Sequence, residues 1–235
     1  MKFRRKLGKP IIKILNIFID KVGLRIIPSK HLELSTLHNY NSYNEYREAQ
    51  ITGNLLKIDS IWADEESILE VYLNVSENSK INNVLAHGVR NGYEVKCFKK
   101  FGVNVIGTDI SETATKFEDC LVHDFHDIKS EWINFFDLVY SNSLDHSFDP
   151  QLALTVWLEQ LNPTGKLVIE LSSGHSPLHS NWMDPFGVKP EYFPYLLVDW
   201  FGDAISIKLI KIYKPNKKVY GFFYIIGKNI NHLIS

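Results

Sequence analysis

Four short phrases in this 235-residue chain hold residues able to grip a nucleoside or move a proton: NVLAHGVRNGYEV (83–95), VIGTDIS (105–111), HDFHD (123–127) and SNSLDHSFDP (141–150). In the first, Gly88 and Gly92 permit a tight turn and let backbone N–H groups approach a ligand, and a helix start there favours negative groups. His87 and Arg90 stand in the same turn, Arg90 at a place where a further glycine is expected. In the second, Asp109 follows Gly88 by roughly 20 residues, the spacing at which an acid accepts hydrogen bonds from two ribose hydroxyls. Ile110 adjoins it as a nucleoside neighbour. In the third, Asp124 is placed to accept from an exocyclic amine and Phe125 to cover a flat base. The fourth sets Asn142, Ser143, Asp145 and His146 on the rim of the same crevice.

Proton transfer needs a group that titrates near neutrality, and His146 is the best-placed candidate base, its alternative role being to brace its own loop. His175 and His179, in SSGHSPLHSNWMDPF, are candidates to supply a base or line a substrate pocket. His123, Asp124, His126 and Asp127 are dense, but successive residues leaving a strand point in different directions, so no metal site is expected there. His175, His179 and Asp184 match a ligand pattern only loosely. Cys97 and Cys120 make no CxxC pair, and the chain has no GxSxG elbow and no GxxxxGK[ST] loop.

Those phrases need elements to hold them. Val84–Ala86, Val103–Gly107, Cys120–Val122, Asp137–Tyr140 and Leu167–Leu171 are short apolar runs of strand length, mostly separated by segments with helical patterning. The alternation predicts parallel strands joined by right-handed crossovers in an α/β, doubly wound sheet. Each chemical phrase then follows a strand, at the end where open α/β sheets bind ligands. Helices are expected over Tyr93–Phe101 and over Pro150–Leu161, the latter capped by Asp149 and stopped at LNPTG. Residues 174–194 read as loop, with an aromatic run (Trp182, Phe186, Tyr192, Phe193, Tyr195, Trp200) that either roofs a pocket or fills the core. AISIKLIKIY and KKVYGFFYIIG, separated by a turn with Pro215 and Asn216, predict a closing antiparallel pair. Dehydrogenase-type dinucleotide domains do not usually end that way.

A net charge of −1 argues against whole-surface nucleic-acid binding, and no nucleic-acid partner is expected. The cysteine usage suits a cytoplasmic setting. Residues 1–30 differ from the rest, with Lys2, Arg4, Arg5, Lys6, Lys9, Lys13, Lys21, Arg25 and Lys30 against the single acid Asp20. Ile11, Ile14, Leu15, Phe18, Ile19 and Val22 fall near one face of a helix closed at Pro28 and Ser29. Lys13, Asp20 and Lys21 preclude a spanning segment, which leaves packing on the chain's own domain or a peripheral contact with an anionic membrane or partner. Residues 1–78 form a basic, mostly helical extension with helical stretches near Tyr43–Leu56 and Asp64–Val71, and 79–235 form the α/β domain.

The succession VLAHGVRNGYE, VIGTDIS, HDFHD, FFDLVYSNSLDHSFDP and LNPTGKLVIE resembles the class I S-adenosylmethionine-dependent methyltransferases, in particular the type-11-like group whose fourth strand leads into a phrase such as SNSLDH. The resemblance covers about residues 81–172, and the closing strand pair fits the family's last two strands. It implies a Rossmann-like, mainly parallel seven-stranded sheet, S-adenosyl-L-methionine as cofactor, and methyl transfer to a small-molecule, glycan or lipid-linked acceptor. Residue by residue, Gly88 and Gly92 match the cofactor loop, Asp109 the ribose acid, Asp124 the adenine-side carboxylate, and SNSLDH the segment beside the methyl group. Two positions depart from the family: Ala86 stands where it has an acid and Arg90 where it commonly has glycine. Arg90 is expected to meet the cofactor carboxylate or to pair with Glu94. The departures leave a binding protein without catalysis as an alternative, and an NAD-linked enzyme as a remoter one.

Overall fold

The computed structural model describes residues 2–27, 29–77, 79–214 and 216–229, with residues 2–10 described in backbone only. Pro28 and Pro215, read above as a helix stop and a turn former, lie outside the described residues. The chain divides into two compact units, Met1–Glu33 and Leu34–Ser235. The expected boundary at residue 78 falls inside the larger unit.

In the first unit, α1 (Lys2–Ile19) runs into a short 3-10 turn over Asp20–Val22. Gly23, at φ 76°, ends the turn in the left-handed conformation that glycine adopts at helix ends. The Asn16 amide then pairs both ways with the main chain of Ile26, at 2.9 and 2.7 Å, and the Arg25 guanidinium forks onto Asp20 at 3.0 and 2.9 Å. These bonds turn residues 24–27 back along the helix. No described helix is long and apolar enough to cross a membrane.

The second unit runs β1 (Ser35–Leu37), α2 (Tyr43–Leu56), α3 (Glu65–Ser76), β2 (Asn83–His87), α4 (Tyr93–Lys99), β3 (Asn104–Asp109), β4 (Cys120–Val122), β5 (Phe136–Ser141), α5 (Pro150–Gln160), β6 (Leu161–Ser172), β7 (Phe186–Val188), α6 (Phe193–Phe201), β8 (Ile205–Lys214) and β9 (Val219–Lys228). Seven strands form one sheet in the order β4-β3-β2-β5-β6-β9-β8, and β1 pairs with β7 in a two-stranded ribbon. β2, β3, β4, β5 and β6 are parallel, whereas β9 runs antiparallel to both β6 and β8. This is the expected mainly parallel sheet closed by an antiparallel pair.

Parallel strands are buried on both faces, which is why they read as unbroken apolar runs. Leu85, Val139, Leu167 and Ile169 pack on one side with Leu154 and Trp157 of α5 and Phe193 and Leu197 of α6. Val84, Ala86, Leu138, Tyr140 and Val168 pack on the other with Ile68 and Val71 of α3 and Val95 and Phe98 of α4. Each buried Val, Leu, Ile or Phe among them contributes roughly 1.5–3 kcal/mol. Asp149 caps α5 as expected, accepting from Leu152 N at 3.0 Å, with Pro150 in the first turn. The LNPTG turn is absorbed into β6, where Leu161 pairs with Phe136 and Lys166 with Leu138 and the register shifts between them. β7 and α6 lie within or next to the stretch read as loop; β7 is only three residues long, and α6 buries Phe193 and Leu197 while Tyr195 and Val198 stay exposed. Because β2 has β3 on one side and β5 on the other, the chain winds outward in both directions from this point and leaves a crevice beyond the strands' carboxyl ends.

Candidate active site

The loop after β2 takes the shape its glycines suggest. Gly88, Arg90 and Gly92 all have positive φ, at 72°, 45° and 67°. Arg90 therefore holds a left-handed conformation that glycine adopts freely, at a cost of about 1–2 kcal/mol for an ordinary residue. The odd letter of the motif keeps the motif's geometry. A Cβ on Gly88 would lie 2.5 Å from that of Ser143, so only glycine fits where the loops after β2 and β5 meet. Gly92 starts α4 and faces Phe117 and Cys120, away from the crevice.

Asp109 ends β3, nine-tenths buried, and burial pushes its carboxyl above the usual range despite hydrogen bonds from the Ser111 and Arg90 backbone. Its Oδ1 accepts from Asn54 Nδ2 and Ser111 N, both at 2.9 Å, and Oδ2 accepts from Arg90 N at 3.0 Å. Asn54 is in turn held by Thr113 Oγ1, which donates to its Oδ1 at 2.9 Å. The second carboxylate is as fully hydrogen-bonded but is shifted the other way. Asp124 Oδ1 accepts from His126 N and Nδ1 at 2.9 and 2.7 Å, and Oδ2 from Tyr43 OH at 2.8 Å. Burial raises the Asp124 carboxyl, but the His126 hydrogen bond and charge outweigh it and hold the group below its usual range.

A cleft is lined by Gly88, Arg90, Asp109, Ile110, Asp124, Phe125, Ser143 and His146, and also by Tyr46, Gln50 and Asn54 of α2. The strand-end residues thus come together as the sequence predicts, under a roof that it did not indicate. The signal was there: Tyr46, Gln50 and Asn54 are spaced by four and share one helix face.

A second cleft adjoins the first, sharing Arg90, Ser143 and His146, and is lined further by Lys57, Ser60, Ile61, Trp62, Asn142, Asp145, Gly174, His175 and Asp184. His146 stands at the junction. Its Nδ1 lies 2.9 Å from Gln50 Oε1 and 3.1 Å from the Met183 carbonyl. A carbonyl only accepts, so Nδ1 carries the proton and Nε2 keeps the lone pair of a base. Asp184 lies 3.6 Å from the same nitrogen and also bonds Lys57 Nζ at 2.9 Å. Burial raises the Asp184 carboxyl, but His146 and Lys57 together hold it below its usual range. His175 is wired the other way. The Ser172 N–H donates to its Nδ1 at 3.0 Å, so the neutral ring carries its proton on Nε2, 4.0 Å from Asp145 Oδ2. His175 is thereby a donor in this cleft, and His146 an acceptor.

Asp145, His146 and Asp184 each bring one possible ligand atom within 4.8 Å of the others. The Lys57 ammonium already neutralises Asp184 there. Of the HDFHD cluster, His123 turns to the Asp127 carbonyl and His126 to Ser147, so those side chains do not converge. His179 lines neither cleft.

His87 points elsewhere. Its ring is buried between Thr108 Oγ1 (2.7 Å) and Gln160 Oε1 (2.9 Å), stacked on Trp157, and burial depresses its pKa to about 3. It lines neither cleft. Arg90 makes no ion pair with Glu94 among the described residues; its Nη1 lies 3.3–3.4 Å from the carbonyls of Ser60 and Lys57. Glu94 instead accepts from Asn142 Nδ2 at 3.0 Å, leaves Oε2 buried without a partner, and has its pKa raised to about 7 by burial. Of the aromatic run, Phe186 and Phe193 are core, Tyr192 and Trp200 pack against it, and Trp182 and Tyr195 are exposed.

Residues 85–169 match the family model described as a methyltransferase domain. Solved structures share the fold at low identity. One is the 1,6-didemethyltoxoflavin-N1-methyltransferase of Burkholderia thailandensis with bound 1,6-didemethyltoxoflavin and S-adenosylhomocysteine: 13% identity, 81% of this chain and 92% of that one, TM-score 0.61. Another is the N-methyltransferase NodS of Bradyrhizobium japonicum WM9 with S-adenosylhomocysteine: 14% identity, 80% and 99% covered, TM-score 0.55. The [4+2]-cyclase SpnF is similar too, at 11% identity, 82% and 98% covered and TM-score 0.59, so the fold serves more than one chemistry. No curated protein matches the chain. The strand order, the glycine loop and the methyltransferase-domain match over residues 85–169 thus coincide on the central strands that line the crevice, and the fold is the one these solved methyltransferases share.

Proposed function

We propose that the protein transfers a methyl group from S-adenosylmethionine to a small-molecule, glycan or lipid-linked acceptor bearing a hydroxyl or a protonated nitrogen. The observation that carries this reading is His146, with its proton fixed on Nδ1 and its basic Nε2 left over, at the junction of the two clefts. Gly88, whose position tolerates no side chain, and the carboxylates of Asp109 and Asp124 suit a nucleoside in the first cleft. When bound, the cofactor supplies a methyl group already activated on a sulfonium.

The residues then align the acceptor and manage its proton. Proximity and orientation of this kind supply several kcal/mol. His146 Nε2 would take up the acceptor's proton, and Asp184, 3.6 Å from Nδ1, would stabilise the imidazolium that forms. His175 Nε2–H offers a hydrogen bond to orient the acceptor, and Arg90 faces the boundary between the clefts. The two relatives with S-adenosylhomocysteine support the choice of cofactor.

The test is incorporation of label from methyl-labelled S-adenosylmethionine into polar small-molecule, glycan and lipid fractions of a cell extract. Label that enters one fraction with the native protein and not with His146→Gln is the expected result. No label in any fraction would count against the reading.

A further inference from the structure

We infer that the N-terminal unit docks on an anionic phospholipid surface, with α1 lying in the plane of the interface. A segment of this size would be expected to hide its apolar residues, yet it exposes them. Ile14, Phe18 and Val22 are 56%, 65% and 72% exposed, with Ile11 and Leu15 beside them. At 100° per residue these five fall on one stripe of the helix.

The returning segment does not cover that stripe. It is tied to the helix through Asn16, which pairs with Ile26, and the residues of this flank, Ile12, Asn16 and Ile19, are the half-buried ones. The fold of the unit thus leaves the apolar stripe outward, and Leu24, at 63%, is exposed as well.

Charge selects the occupant. Residues 1–30 carry nine lysines and arginines against one acid, and that acid, Asp20, is already paired with Arg25. A helix with large apolar residues on one face and a basic excess matches the boundary between acyl chains and anionic headgroups, where apolar burial and electrostatic attraction add. An 18-residue helix interrupted by lysines does not span a bilayer, so an in-plane seat is what remains. The inference is independent of the methyl acceptor.

The test is flotation of the full-length protein with vesicles of phosphatidylcholine alone and of phosphatidylcholine mixed with phosphatidylglycerol, at low and high salt. The inference predicts binding to the mixed vesicles, weakened by salt, and about tenfold less or none to the neutral ones. Ile14→Asp with Phe18→Asp should abolish binding without moving the thermal midpoint, because both side chains are exposed. Lys13→Glu with Lys21→Glu should weaken binding to the mixed vesicles only. Failure to bind mixed vesicles, equal binding by the Asp variant, or a dimer in sedimentation that the Asp variant dissolves would each overturn it, the last by assigning the stripe to a second copy of the chain.

Discussion

Asn54 and Asp109 are hydrogen-bonded across 55 residues of chain, Nδ2 to Oδ1 at 2.9 Å. With Ser111 N on the same oxygen and Arg90 N on the other, three of the roughly four acceptor positions of the carboxylate are taken. A ribose that is to place both hydroxyls on Asp109 must displace one donor. Asn54 is the side chain among the three, and the one able to leave without unmaking a turn.

Asp109→Ala and Asn54→Ala should therefore move cofactor affinity in opposite directions. Losing the carboxylate is expected to weaken S-adenosylhomocysteine binding by about 1–3 kcal/mol, the worth of hydrogen bonds to a charged group. Losing the amide is expected to tighten it by up to about 1 kcal/mol, because a competing hydrogen bond disappears. Calorimetry reads both. Equal weakening by the two changes would mean that Asn54 binds the nucleoside instead of competing with it.

The two histidines of the second cleft should show opposite tautomers. Imidazole ¹⁵N shifts of the neutral rings are expected to report Nδ1–H for His146, from its Met183 carbonyl contact, and Nε2–H for His175, from the Ser172 N–H. Once an acceptor is in hand, His146→Gln should lower turnover by about 10²–10⁴-fold, the usual contribution of a general base, with little change in cofactor affinity. Nε2–H on the neutral His146 ring would remove its assignment as base.

Glu94 gives a pH dependence with a definite sign. Burial raises its carboxyl from 4.5 to about 7, so between those values the folded state binds more protons than the unfolded one and stability falls as pH rises. Glu94→Gln should flatten that fall and, above pH 7, raise stability by on the order of 1–3 kcal/mol. Denaturant unfolding of the two proteins at pH 5 and pH 8 tests it; parallel curves would place the proton elsewhere.

Gly88→Ala combines a positive φ with a Cβ 2.5 Å from Ser143 Cβ. It should lower stability by roughly 1–3 kcal/mol, with a matching drop in the melting temperature, and weaken cofactor binding as the two loops part. An unaltered melting temperature would show that the loops separate freely.

The crevice was legible where chemistry follows directly on a strand. Asp109, Asp124, Phe125, Ser143 and His146 were found that way because a parallel sheet delivers every strand end to one edge. His87 was misleading for a reason of geometry: as the last residue of β2 it still obeys the strand's alternation, and its ring falls into the core beside Trp157. The roof was hidden because polar residues on a helix read as solvent-facing, and only the spacing by four that sets Gln50 and Asn54 on one face with Tyr46 tells them apart from surface amides. Asp184, the partner of His146, lies in a stretch read as loop, where no period announces which side chains turn inward.

Under the proposed function, the first cleft takes the S-adenosyl nucleoside. Calorimetric titration of the full-length protein with S-adenosylhomocysteine and, separately, with NAD tests it most directly. Saturable binding of S-adenosylhomocysteine that weakens in Asp109→Ala, with no heat from NAD, is the predicted result. No binding of the sulfur nucleoside, or preference for NAD, would contradict it.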